Sequence, residues 1–495
     1  MAPAVAEHFD VLIVGAGVSG IGMACHLRMK FPARRVAIIE RRPALGGTWD
    51  LFRYPGARSD SDMFSYGYAF RPWLQPKALA SADSIRRYLA DTAREYGVDR
   101  QIRYGIKIVH AAWSSAAQRW SVSAVDEGSG AALAYTCNFL VGATGYFNYD
   151  EGYLPDFPDA ARFKGQCIHP QFWPGQLDYT GKRVVVIGSG ATAVTVVPAM
   201  ALAAAHVVML QRSPSYIFSL PGTERLIGRL ETVLPRRWVY ALVRKLNIVL
   251  QTVTYQAARR WPSWMRKRLL AQTRHALGEG TDMRHFTPAY QPWDERLCVV
   301  PDGDLFKAIR SGKASVVTDH IERFSEDGIV LASGTELKAD IIVAATGLRL
   351  QTLGGMRLSV DGNEVHPSAL MSYKAVMLQD VPNMAFVFGY TNAAWTLKAD
   401  LASEYVCRLF AHMEAKKFGA VVARAPAGQA CPGNLMDALG SGYVRRHQHD
   451  LPRQGKSAPW QVKHHYRSDR VMLTRDAIED DVLHFTPVVG ISATQ

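Results

Sequence analysis

Two glycine-rich turns carry the chemistry that can be read first. In Gly15-Ala-Gly-Val-Ser-Gly20 the glycines have the GxGxxG spacing, with the apolar run Phe9-Asp-Val-Leu-Ile-Val14 before them and a helical stretch to about Lys30 after. Gly15 permits the tight turn, Gly17 lets backbone approach a pyrophosphate, and Gly20 lets helix and strand close together. Ser19 lies in the same first helical turn, whose N–H groups face the phosphates. Glu40 stands twenty residues beyond Gly20, at the end of the next strand, Val36-Ala-Ile-Ile-Glu40. It can accept hydrogen bonds from ribose hydroxyls and would repel a 2′-phosphate, so this unit suits FAD or NAD and not NADP.

The second turn, Gly188-Ser-Gly-Ala-Thr-Ala193, repeats the grammar after Arg183-Val-Val-Val-Ile187 and before a helix and the strand His206-Val-Val-Met-Leu210. Gly188, Ser189, Gly190, Ala191 and Thr192 form the phosphate turn, and Ala193 replaces the third glycine, an accepted variant. Where the first unit has its acid, this one has Gln211-Arg-Ser213. Arg212 can pair with a 2′-phosphate through charge-assisted bidentate bonds, with Ser213 beside it, which makes NADPH the second nucleotide expected. Two such units together move hydride, as a disulfide reductase, an electron-transfer enzyme or an oxygenase would. The six cysteines, Cys25, Cys137, Cys167, Cys298, Cys407 and Cys431, include no CxxC pair. That disfavours the disulfide class, a zinc site and a disulfide framework, and fits a reducing cytoplasm.

The elements that position these turns read as an α/β fold with two Rossmann-like dinucleotide-binding domains and a helical insertion. Two similar punctuations, Phe139-Leu-Val-Gly-Ala-Thr-Gly145 and Ile341-Ile-Val-Ala-Ala-Thr-Gly347, look like crossovers between the domains. The expected division is 1–150 for the first part of the FAD domain, 151–215 for the first part of the NADPH domain, and 216–289 for the helical insertion. Residues 290–345 complete the NADPH domain, and 346–495 complete the FAD domain and add a C-terminal tail. The tail from about Ala425, rich in Pro, Gly, His and Arg, shows no readable organisation.

The formal charge of +13 is concentrated. Between Arg225 and Arg274 stand twelve Lys or Arg and one acid, Glu231. A basic segment full of Leu, Val and Trp reads as amphipathic helices and not as a nucleic-acid stripe. It suggests weak, salt-sensitive contact with anionic lipid, against an equal alternative in which these helices cover the substrate pocket with a solvated basic face. The start of the chain has no basic n-region and no apolar run spans a bilayer, so a cytoplasmic protein, at most touching a membrane from outside, is expected. Oligomeric state is not legible.

Between the two nucleotide units, Phe163-Lys-Gly-Gln-Cys-Ile-His-Pro-Gln-Phe-Trp-Pro174 matches FxGxxxHxxxWP, and Gly46-Gly-Thr-Trp-Asp-Leu-Phe-Arg-Tyr-Pro-Gly-Ala-Arg-Ser-Asp60 matches a second signature. In both the chain resembles the type I Baeyer–Villiger monooxygenases, closest to the branch of mycobacterial ethionamide-activating monooxygenases, over nearly its whole length except the tail. The resemblance implies bound FAD, NADPH that stays after giving its hydride, and a C4a-peroxyflavin as the oxygenating species. It implies that Arg296 supplies positive charge to the peroxide and that Asp60 orients it. Gly47, Thr48 and Trp49 would lie against the flavin, Ile108 near the adenine, and Arg58 and Ser59 near the nicotinamide end. His169 and Trp173 would transmit domain movement and not touch substrate. One departure stands out: Glu295 occupies a position where many members carry Lys, which weakens the NADPH inference, although Arg212 and Ser213 keep NADPH the better choice.

The reaction so implied takes a ketone and O2 to an ester or lactone, with sulfoxidation of thioethers or thioamides as a second activity. The rivals are an N- or S-oxygenating flavin monooxygenase without ketone activity, and a flavin-dependent NADPH oxidase or redox module docked on a membrane. The role implied for Arg296 sets a first test. Arg296→Ala should keep its flavin, because the glycine turn and Glu40 are untouched, yet return electrons to O2 as hydrogen peroxide with no oxygenated product. Product analysis alongside a peroxide assay checks this, and normal product yield in the variant would rule the role out.

Overall fold

The computed structural model describes residues 6–489 except 224–226, 228, 229, 296 and 438. Arg296, the residue expected to face the oxygen chemistry, lies outside the described residues. The first strand, Glu7–Val14, alternates between two apolar clusters: Val11 and Ile13 point into one, Leu12 and Val14 into the other. A strand buried on both faces reads as a continuous apolar run, which is why this segment shows no polar alternation. It pairs in parallel with Val36–Ile39 on one side and Ala132–Gly142 on the other. The sheet grows to nine strands by an antiparallel run through Arg119–Asp126 and Ile106–Ser114. Strands from beyond the second nucleotide unit complete it: Arg357–Val360 joins Ile106–Ser114, and Met384–Phe386 joins Ala132–Gly142.

The second sheet has five parallel strands, in the order Ala314–Thr318, His206–Gln211, Arg183–Ile187, Ile341–Ala344, Gln166–Ile168. Its central strand repeats the device, with Val184 and Val186 in one cluster and Val185 and Ile187 in another. Each such buried aliphatic side chain contributes about 1.5–3 kcal/mol. The chain passes from the first sheet to the second after Gly142 and returns after Ala344. The two passing segments pair with each other, Phe147–Gly152 antiparallel to Leu348–Leu350.

The described part of residues 216–289 includes the long helices Arg236–Arg260 and Pro262–Leu277, but it begins with a strand that the helical reading omits. Ile217–Leu220 pairs in parallel with Cys298–Pro301, because the apolar side chains of Ile217, Cys298 and Val300 join the core of the second sheet. The tail is folded. Phe418–Ala423 pairs with Leu483–Pro487, Ala430–Asn434 pairs with Arg453–Gly455, and Trp460 is buried against Tyr373.

The long helix Trp395–Lys416 buries Lys398 against the first unit, where its ammonium meets the Asp469 carboxylate at 3.0 Å and the Lys374 carbonyl at 3.3 Å. Tyr390 donates to the same carboxylate at 2.9 Å. Burial pulls the Lys398 pKa down and Asp469 opposes the shift, so removing the acid strands a buried cation. Asp469→Ala should therefore cost about 3–5 kcal/mol, read as a lowered urea midpoint or Tm, whereas an exposed Asp83→Ala control should move either by little.

Candidate active site

Both glycine turns press on a crossover. Gly15 has φ +106°, and a Cβ there would sit 2.7 Å from the Ala143 carbonyl oxygen. Gly188 has φ +136°, and its Cβ would sit 2.4 Å from the Ala345 oxygen. Only glycine allows this turn and this approach at once. Gly20 serves packing alone, since a Cβ would meet the Gly15 oxygen at 1.8 Å. The helices that follow, Val18–Lys30 and Ala191–Met200, start at Gly17 and Gly190 with no side-chain cap and no acid in the first turn. Their first N–H groups are therefore open to an anionic ligand.

The two turns open on one cavity of about 860 Å³. Every described residue expected at the cofactors lines it except Gly20, Ala193 and Gln211. Ala193 is fully buried in the core of the second sheet. Gln211 is a correction: its buried amide donates to the His285 carbonyl at 2.7 Å and to Thr318 Oγ1 at 2.9 Å, which ties the strand end to its neighbours and leaves no donor for a nucleotide.

At the first turn Glu40 is buried, and its carboxylate accepts from Ala16 N–H at 2.7 Å and Arg42 N–H at 2.8 Å. Burial pushes the carboxyl pKa up and these two amides oppose the shift. Glu40 thus fastens the glycine turn to the next strand and still lines the cavity. Gly47 lies opposite Gly17, so close that a Cβ on it would be 3.0 Å from the Gly17 Cα. Thr48 bonds Tyr149 through its side chain, Trp49 donates to the Tyr66 hydroxyl at 2.7 Å, and the Ser19 hydroxyl accepts from Trp395 at 2.8 Å. The buried Asp50 beneath this segment is ringed by Arg42, Arg53 and Arg86.

Asp60 is half-buried on the cavity wall, and its charge helps raise the pKa of Tyr54, which burial pushes up to about 12. Ser59 is held by its N–H to the Ala80 carbonyl at 2.9 Å, and Ile108 is buried at the edge of the cavity. Arg58 has a carboxylate partner that spacing does not reveal, Asp304, at the start of the helix Asp304–Arg310. At the second turn the Ser189 hydroxyl donates to the Ser213 carbonyl at 3.0 Å, and the side chain of Thr192 hydrogen-bonds Tyr54. Arg212 and Ser213 are exposed on the cavity rim. Glu295 is half-buried beside them; burial pushes its carboxyl up, and Arg445 and Arg212 oppose this.

The cavity also holds a residue the sequence reading missed. Arg446, from the short helix Gly442–Arg446 in the tail, lies over the Tyr153 ring with its guanidinium carbon 3.5 Å from the centroid. It makes no ion pair with a carboxylate among the described residues, and burial and the nearby Arg212 draw its pKa below the usual arginine value. Nothing local marks it, since the surrounding tail carries neither periodicity nor a glycine fingerprint.

His169 and Trp173 stand off the cavity. His169 Nε2 donates to the Gly347 carbonyl at 3.0 Å and Nδ1 accepts from Gln171 N–H at 3.2 Å, a pair of bonds that requires the neutral ring with its proton on Nε2. The ring presses on Gly152, where a Cβ would meet it at 2.2 Å. Trp173 packs on the core of the second sheet.

The chain matches the flavin-binding monooxygenase-like family over residues 75–353 and the NAD(P)-binding Rossmann-like domain over 13–76. It belongs to the flavin-binding monooxygenase-like family. It is 57% identical over 483 residues to MymA of Mycobacterium tuberculosis, covering 97% of this chain and 98% of that protein. It is 50% identical over 481 residues to the FAD-containing monooxygenase EthA of the same species, covering 97% and 98%. Among solved structures, an oxidized steroid monooxygenase bound to NADP shares the fold with a TM-score of 0.75 at 20% identity, over 97% of this chain and 100% of that one. OTEMO in complex with FAD and NADP does so with a TM-score of 0.70 at 21% identity, over 84% and 88%.

Burial holds the His169 pKa below its ordinary 6.5, while its bond to Gly347 opposes the shift. The unfolded chain therefore takes up this proton first as pH falls, so the contribution of His169 is complete above about pH 6.5 and declines below it. His169→Gln keeps one donor and one acceptor without the titration. Its Tm should fall less between pH 7.5 and 5.5 than that of the unmodified protein, by scanning calorimetry; parallel curves would exclude the lowered pKa of His169.

Proposed function

We propose that this protein is an FAD-containing, NADPH-dependent monooxygenase that converts ketones to esters or lactones, with oxidation of thioethers or thioamides as a second activity. The observation that carries the reading is the single cavity onto which both glycine turns open, with Glu40 at one turn and Arg212 and Arg446 at the other. The residues fit the two cofactors. At the first turn no Cβ stands between Gly17 and Gly47, and a buried acid faces the position of a ribose. At the second, two arginines offer charge for a 2′-phosphate.

When bound, the flavin accepts hydride from the nicotinamide and activates O2; the chain supplies binding, orientation and exclusion of water. Gly15, Gly17 and the N-terminus of Val18–Lys30 would hold the pyrophosphate of FAD, and Glu40 its ribose. Gly188 to Thr192 would hold that of NADPH, with Arg212, Ser213 and Arg446 at its 2′-phosphate. Trp49 with Tyr66, and Tyr146 with Phe388 and Trp395, line the cavity as two aromatic groups and would keep water from the reacting atoms. Asp60, which also lines the cavity, would act as the orienting acid of the oxygenating end.

The test is coupling. With NADPH, O2 and a panel of linear ketones, phenylacetone and thioethers, mass spectrometry should find esters from ketones in proportion to the NADPH consumed. Sulfoxides without esters would favour an N- or S-oxygenating enzyme, and peroxide alone would favour an oxidase. In the same assay Arg212→Ala and Arg446→Ala should each raise KM for NADPH by about tenfold, the worth of one charge-assisted hydrogen bond, and leave KM for NADH nearly unchanged.

A further inference from the structure

The helix Arg236–Arg260 is attached to the molecule by one face. Val239, Tyr240, Val243, Arg244 and Ala258 are buried. The Arg244 guanidinium donates to the carbonyls of Phe64, Ser65 and Gly67 at 2.8, 3.0 and 2.6 Å, and the amides of Asn247 and Gln251 donate to the Asp62 carboxylate at 2.9 and 2.6 Å. These bonds fix its orientation just behind Asp60.

The opposite face is apolar and open. Trp238 is 62% exposed, Leu242 42%, Leu246 50%, Leu250 64% and Val253 55%. Their spacing of three or four residues sets them in one stripe along the helix. The next helix opens with Trp261 and Trp264, 59% and 52% exposed. A solvated helix face is polar, and a continuous apolar stripe of this length on an isolated chain marks a surface that is covered in use.

The charge around the stripe selects what covers it. Residues 236–277 contain ten Lys and Arg and no Asp or Glu. Arg237, Lys245, Arg260, Lys267 and Arg268 are exposed on this helix pair, while the exposed Arg236 bridges Glu231 at 3.3 Å. A second copy docked across a two-fold axis would set the same unbalanced positive charges against each other. A plane of anionic headgroups complements them, while the stripe and the two tryptophans suit the boundary between headgroups and acyl chains. No helix among the described residues is long and apolar enough to cross a membrane.

We propose that the face bearing Trp238, Leu242, Leu246, Leu250 and Val253 docks the protein on an anionic lipid surface, with the helix lying in the plane of the interface. The helix pair then holds the first unit, through Phe64 to Gly67, next to the bilayer.

Flotation of the full-length protein on sucrose gradients tests this, with vesicles of phosphatidylcholine alone and of phosphatidylcholine with about 30% phosphatidylglycerol. The unmodified protein should float with the anionic vesicles at low salt, about tenfold more than with the neutral ones, and be released as salt rises. The double variant Leu246→Ser with Leu250→Ser, and separately Lys245→Glu with Arg260→Glu, should each lose most of this recovery. Both alter exposed side chains, so Tm should stay within a few degrees of the parent. Failure to float with anionic vesicles, equal recovery with neutral ones, or variants that float like the parent would overturn the proposal. So would a concentration-dependent dimer in sedimentation velocity that the serine variant abolishes without any vesicle binding, which would assign the face to a second copy.

Discussion

The antiparallel pairing of Phe147–Gly152 with Leu348–Leu350 is the constraint on which the cavity depends. Two sheets, one mixed and one parallel, whose central strands are buried on both faces, are complete by themselves; nothing in either core dictates how their strand ends face each other. The paired crossovers supply that, and His169 secures them by holding the Gly347 carbonyl while its ring fills the space left by Gly152. The glycine turns exploit the same segments. Gly15 rests on Ala143 and Gly188 on Ala345, so each nucleotide turn is braced by the crossover that leaves its own sheet. A fingerprint histidine that touches no cavity is thus explained by where the joint between the units lies.

Charge is distributed so that most ionic groups near the site are spent on structure. Asp50 is ringed by three arginines, Arg58 meets Asp304, and Lys398 meets Asp469, each pair fixing backbone that would otherwise have room to move. Against that background Arg446 differs, because it stacks on Tyr153 inside the cavity with no carboxylate among the described residues. It stands near Arg212 on the side where Glu295 brings negative charge. Arg445 and Arg212 offset the acid, and Arg446 adds a further positive charge beside Arg212, which makes the departure at Glu295 compatible with a phosphate-binding rim.

The basic helices show how one segment answers to two surroundings. On the first of them, Arg236–Arg260, the inner face joins the buried Val239, Tyr240 and Val243 to Arg244, Asn247 and Gln251, which satisfy backbone and carboxylate acceptors of residues 62–67. The outer face of this helix is apolar in steps of three and four. Periodicity alone does not choose between Val239 with Val243 and Leu242, Leu246 and Leu250 as the inward face; hydrogen bonding of Arg244, Asn247 and Gln251 to residues 62–67 does, because unpaired carbonyls there cost more than exposed leucines.

The two nucleotide turns, their strands and the crossovers were legible because they are local. A glycine that must adopt positive φ, an apolar run buried on both faces and an acid or arginine at a strand end each leave a mark within about twenty residues. Membership in the flavin-binding monooxygenase-like family was legible for the same reason, through Phe163 to Pro174 and Gly46 to Asp60. Gln211 was misread because its strand-end position looks the same whether the side chain turns to a nucleotide or to His285 and Thr318. Arg446 and the Asp304 partner of Arg58 were not legible at all, and in Arg236–Arg260 the basic amphipathic character was legible but not which face stays exposed. Each depends on which distant segment comes to lie beside it, and that is decided by burial and pairing summed over the whole fold, which no local spacing records.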